Sequence, residues 1–98
     1  MILTTTNTIE GFKIIEYKGI VSGIGVNMPK QRLTFNIEKY NTSISDGITK
    51  ARTIALNQLE QEAKQLNVNA IVGIKMDIEL TASNQVTVSV TGTAVNIA

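Results

Sequence analysis

The chain reads as an α+β domain of order β-β-α-β-β, with one helix laid across an antiparallel sheet. Three observations predict this. Residues 44–66 place Ile44, Ile48, Ala51, Ala55, Leu59, Ala63 and Leu66 at steps of three and four, the spacing of one apolar helix stripe. Residues 70–80 and 86–91 instead alternate with a period of two. Residues 12–26 form a long β-branched stretch with apolar residues on both parities, as in a strand covered on both faces.

Taken in order, residues 1–6 are a short β-prone piece, and Thr8-Ile9-Glu10-Gly11 has turn composition. In a regular strand over 12–26, Phe12, Ile14, Ile20, Ile24 and Val26 share one face, and Ile15, Tyr17 and Val21 the other. Gly19, Gly23 and Gly25 share the parity of Val21, which bares that face for the close approach of a helix or another chain. Residues 27–43 hold the single proline, Pro29, and read as a loop with a short strand near 33–37. Ser43 and Asp46 form a capping pair at the expected helix start, or Asp46 is itself the N-cap, while Asn67 suits a left-handed C-cap with Val68 packing back. Three alanines in the helix stripe match the glycine-bared strand.

On the next strand, Ala70, Val72, Ile74, Met76, Ile78 and Leu80 share one face, and Gly73, Lys75, Asp77 and Glu79 the other. A turn at 82–85 leads to Val86, Val88 and Val90 facing one side. The apolar parity then passes to Val95 and Ile97, for which a bulge at Gly92 is the expected device. No linker, repeat or low-complexity tract divides the 98 residues, so one domain spans 1–98.

Composition removes whole classes of chemistry. With no cysteine and no histidine, the chain offers no thiolate or imidazole for zinc, copper or an iron–sulfur cluster, and no Ser-His-Asp or cysteine nucleophile. A formal charge of +1 gives no basis for nucleic-acid binding. No apolar run approaches the ~20 residues of a membrane span, and the first residues lack a basic region followed by an apolar stretch. The expectations are a cytoplasmic protein, no membrane, no cofactor and no recognisable enzymatic activity. Only 17% of residues are charged, against about 25% in an average domain, so burial against identical copies is expected, with a well-packed monomer under a Thr/Asn/Ser-rich surface as the alternative.

Few residues remain as candidates for chemistry. Glu16, Asp77 and Glu79 are oxygen donors that suit a hard cation, with neighbouring lysines opposing it. Lys50 and Arg52 lie toward the helix N-terminus, against the macrodipole preference, which points Arg52 to a carboxylate such as Glu16 or one on a neighbouring chain. Gly23-Ile24-Gly25 lacks the third glycine and the following helix of a dinucleotide loop. An enzyme would have to use carboxylate or lysine chemistry at a subunit interface.

Several pieces, in this order and spacing, resemble the YbjQ-like family. They are Thr4-Thr5, Glu10-Gly11, Ile14, Glu16-Tyr17, Gly19, Val21 and Gly23, then Ala51-Arg52, Ala55, Leu59, Ala63 and Leu66, then residues 69–74 and Gly92-Thr93-Ala94-Val95. The resemblance covers nearly the whole chain outside 26–46. It implies a small prokaryotic cytoplasmic β-β-α-β-β protein that assembles as a ring-like homopentamer, in a family labelled heavy-metal-binding. The candidates for structural or interface positions are Tyr17, Gly19, Gly23, Arg52, Gly73 and Gly92. Some members carry a cysteine in the first long strand; Lys18 stands at the matching position here. Asn67 and Val68 replace the usual Gly-Ala after the helix.

Overall fold

The computed structural model describes residues 1–27, 37–81 and 85–98, with helical side chains described from residue 45. The elements are β1 (Ile2–Leu3), β2 (Ile14–Asn27), α1 (Ile37–Gln65), β3 (Ala70–Leu80) and β4 (Val86–Ile97). They build one four-stranded sheet of order β1-β3-β4-β2 with α1 across one side. The sheet is mixed rather than purely antiparallel: β1 pairs in parallel with β3, Ile2 opposite Ala70. The chain start is tied there by Ile2 N–H to Asn69 O at 3.2 Å and Thr4 N–H to Ile71 O at 3.0 Å. No helix among the described residues is long and apolar enough to cross a membrane.

From Ile48 onward the helix stripe forms as its spacing predicts; the side chain of Ile44 lies outside the described residues. Ala51, Ala55, Leu59 and Ala63 are fully buried, with Ile48 and Leu66 partly buried beside them. Asn67 has φ of 57°, the left-handed cap expected of it. The start differs: α1 begins at Ile37, so Ser43 and Asp46 lie inside the helix and are not its cap. Two features allow this. Ile37, Tyr40 and Ile44 carry the three-and-four spacing backwards. Further along, Thr49 donates to Ser45 O (3.1 Å) and Thr53 to Thr49 O (2.9 Å), so hydroxyls are absorbed within the helix. The strand expected near 33–37 lies outside the described residues, except that Ile37 is helical. The expected 82–85 turn is described only at Gln85, whose carbonyl accepts from Thr81 N–H at 3.0 Å.

Bulges redistribute the strand faces. Between Val72 and Lys75 the register of β3 shifts, and Gly73 there has φ of 62°. Glycine accepts that left-handed conformation without a Cβ penalty. The expected single face 70–80 is therefore split. Ile71 and Ile74 join the core under the helix, while Ala70 and Val72 point to the other side. In β4 no bulge exists at Gly92, which pairs regularly with Val21. The change of apolar parity there has another cause. Val86, Val88, Val90 and Ala94 face the helix, whereas Val95 and Ile97 face a second small core with Ala70, Val72, Ile9 and Ile14. Among the described residues, that second side is covered at this end of the sheet, by the chain around Ile9.

β2 carries two register shifts, between Ile14 and Glu16 and between Tyr17 and Gly19. They move Tyr17 opposite Val95, onto the side away from the helix, and so apart from Val21. Beyond them the strand alternates cleanly. Val21, Gly23 and Gly25 are buried against α1, while Ile20, Ile24 and Val26 are exposed, so the expected burial of both faces is not met within one chain.

Candidate functional site

The oxygen donors do not converge. Glu16 pairs opposite Asn96 and Asp77 opposite Ser89, seven residues apart along β4, or about 23 Å at the usual strand rise. They also lie on opposite sides of the sheet. Among the described residues no three acidic side chains come close enough to share a metal ion. Asp77 and Glu79 alone share a side, with Lys75 beside them, opposite Ser89, Thr87 and Thr91.

Glu16 instead serves its own corner. Its Oε1 accepts from Asn96 Nδ2 at 3.0 Å and lies 3.4 Å from Lys18 Nζ. The Asn96 hydrogen bond first, then the Lys18 ammonium, holds this carboxyl below the ordinary glutamate range. The expected Arg52–Glu16 pair does not form: Arg52 follows Ala51, which packs on Gly25, nine residues along β2 from Glu16. Arg52 is exposed and has no ion-pair partner among the described residues.

The remaining marked positions divide by role. A Cβ on Gly23 would run into Ala55 O and come within 2.8 Å of Leu59 N, so this glycine lets the helix backbone rest on the strand. A Cβ on Gly92 would meet Ile71 Cγ2 at 2.6 Å, beneath the same core. Gly19 has open space around it, and its φ of 129° belongs to the second β2 shift, so helix packing is not its role. Gly73 donates its N–H to Thr6 O at 2.8 Å and so holds the chain start over the sheet. Tyr17 is 70% exposed.

Two strand faces present apolar side chains outward. Tyr17, Ile20, Ile24 and Val26 stand exposed on the side of β2 away from the helix, Ile20 at 79%. On the helix side of β3, Met76, Ile78 and Leu80 pair opposite the buried Val90, Val88 and Val86, yet the last two of the three are 47% and 53% exposed. The cause is the placement of α1, which packs on β2 and β4 and barely reaches β3. The sequence pattern put both stripes on strand faces but did not show that one helix is too narrow to cover the sheet.

Two further residues had no signal in strand patterning. Gln58 Oε1 accepts the Ile24 N–H at 2.9 Å, and Glu62 Oε2 accepts the Ser22 N–H at 3.3 Å. These helix side chains reach over the free edge of β2 and satisfy amides that another strand would otherwise take. Ile54, Gln58 and Glu62 at i, i+4, i+8 define that flank. A shallow, open crevice is lined by Ile2, Leu3, Thr4, Thr6, Thr8, Ile9 and Glu10. Its Thr6 hydroxyl already bonds to Thr8 O at 2.6 Å.

Comparison with known proteins places this architecture. The family model described as "Putative heavy-metal-binding", the YbjQ model, matches residues 1–98. A UPF0145 protein of Carboxydothermus hydrogenoformans is 35% identical over 99% of this chain and 96% of its own length. One from Bacillus cereus is 38% identical over 99% of this chain and all of its own. A crystal structure of a protein of unknown function from Pediococcus pentosaceus superposes with a TM-score of 0.66 at 24% identity, covering all of this chain and 98% of that one, which speaks to the fold. The full-length match and the shared fold agree: the chain belongs to the YbjQ-like family.

Proposed function

We propose that this is a non-enzymatic, cytoplasmic, homo-oligomeric protein, a ring-like pentamer, whose binding role belongs to the assembly rather than to one chain. The observation that carries the reading is the pair of exposed apolar stripes on β2 and β3 in a chain with few charges. Contiguous apolar surface of this kind marks protein contacts. Native mass spectrometry tests it directly. The expected mass is five times 10.6 kDa; a single-chain mass at micromolar protein would overturn the assembly.

The heavy-metal description does not suit this member's donors. Soft metals take thiolate and imidazole, and the chain has neither; its sulfur is confined to three methionines. A hard cation on Asp77 and Glu79 is the alternative, held by two carboxylates beside Lys75. Calorimetric titration with Zn²⁺, Mn²⁺ and Ca²⁺ is expected to give no saturable heat. Saturable binding abolished by Asp77→Asn would establish the carboxylate site instead.

A further inference from the structure

The two apolar stripes stand in a definite relation. With α1 above the sheet, Met76, Ile78 and Leu80 face upward at the β3 edge, and Ile20, Ile24 and Val26 face downward at the β2 edge. Opposite edges and opposite directions are what a lapped joint needs. Resting on the oligomeric reading above, we propose that the bare helix-side face of β3 is covered by β2 of a second copy. The second copy's Ile20, Ile24 and Val26 settle on Met76, Ile78 and Leu80 of the first.

Four observations select this occupant. Among the described residues α1 barely reaches β3 and leaves Ile78 and Leu80 half exposed, so the second copy's β2 takes the place a further helix would fill. Met76, Ile78 and Leu80 continue the buried row Val90, Val88, Val86 directly beside them, so the joint extends an existing core. The edge amides of Ser22 and Ile24 are already held by Glu62 and Gln58, which disfavours strand-to-strand addition along that edge and leaves the face of β2 as its contact surface. Charge also fits. The helix flank opposite Gln58 carries Arg52, exposed and with no ion-pair partner among the described residues, and the lapping edge brings the carboxylate of Glu62, one oxygen of which holds the Ser22 N–H. Because each copy uses one stripe to give and the other to receive, the joint is head-to-tail and repeats around a ring when the rotation closes.

The absence of native cysteine makes this directly testable. Ile24→Cys and Ile78→Cys are placed in one chain, and the assembled protein is oxidised with oxidised glutathione. The joint predicts a ladder of covalent multiples of 10.6 kDa on a denaturing, non-reducing gel. Each single variant should remain uncrosslinked, and an equal mixture of the two should yield dimers only. Val26→Cys with Met76→Cys provides a second pair if either first substitution disturbs the far-UV circular dichroism. Efficient dimers from Ile78→Cys alone would mean that like stripes face each other and would overturn the lap. No cross-link from either pair in a protein that still sediments as an oligomer would overturn the lap and leave the assembly standing. A protein that sediments as a monomer would remove both.

Discussion

Gly23→Ala is expected to lower stability by about 3 kcal/mol or more, the upper end of overpacking effects. The added Cβ meets backbone rather than a flexible side chain: the Ala55 carbonyl oxygen, with the Leu59 nitrogen 2.8 Å away. A backbone cannot rotate aside as a side chain does. The helix would have to lift as a body, breaking its seat on Val21, Val88 and Val90 in the shared core. In a domain of this size, such a loss corresponds to a fall of roughly 12–24 °C in the unfolding midpoint. Gly25→Ala should behave alike, since its Cβ would run into Ala51 O. Ser22→Ala, one residue away on the exposed side, should stay within about 0.5 kcal/mol. Thermal unfolding followed by circular dichroism checks all three. An unchanged midpoint for Gly23→Ala would mean that the helix does not rest on β2.

The fit between alanine stripe and glycine strand was legible from composition and period. Ala51 and Ala55 recur at helix spacing, Gly23 and Gly25 at strand spacing, and small residues on both partners imply close approach. The left-handed cap at Asn67 was legible for a similar local reason. Parity failed wherever a bulge intervened. Gly73 reads as an ordinary strand position until its positive φ splits Ala70 and Val72 from Ile74, Met76, Ile78 and Leu80. The two shifts in β2 likewise carry Tyr17 to the side opposite Val21. Single-sequence alternation has no term for an inserted residue, so each shift inverts the reading beyond it.

The site was less legible than the fold, because it depends on coverage rather than on motif. Glu16, Asp77 and Glu79 were candidates by residue type alone, and strand order places Glu16 about 23 Å from Asp77. The apolar residues of β2 and β3 were recognised, but their exposure follows from where α1 ends its contact with the sheet. Gln58 and Glu62 could have been found only by asking which helix flank overhangs a strand edge.

Ile78→Glu is the second large expected effect, and it is of a different kind. Ile78 is 47% exposed in the single chain, so the domain itself should keep its fold. In the lapped joint the new carboxylate would be buried without a partner, which costs about 3 kcal/mol or more per joint. That corresponds to roughly a hundredfold weaker association. Ile24→Glu should act equally from the other side, and Ile24→Lys combined with Ile78→Glu should recover part of the loss through a new ion pair. Circular dichroism should show unchanged secondary structure in each case.

Sedimentation equilibrium of the unmodified chain beside Ile78→Glu, across micromolar concentrations, tests the central claim most directly. The native chain should sediment as an assembly of 10.6 kDa subunits and Ile78→Glu as a folded monomer. A native chain that sediments as a monomer, or a variant that stays fully assembled, would contradict the account.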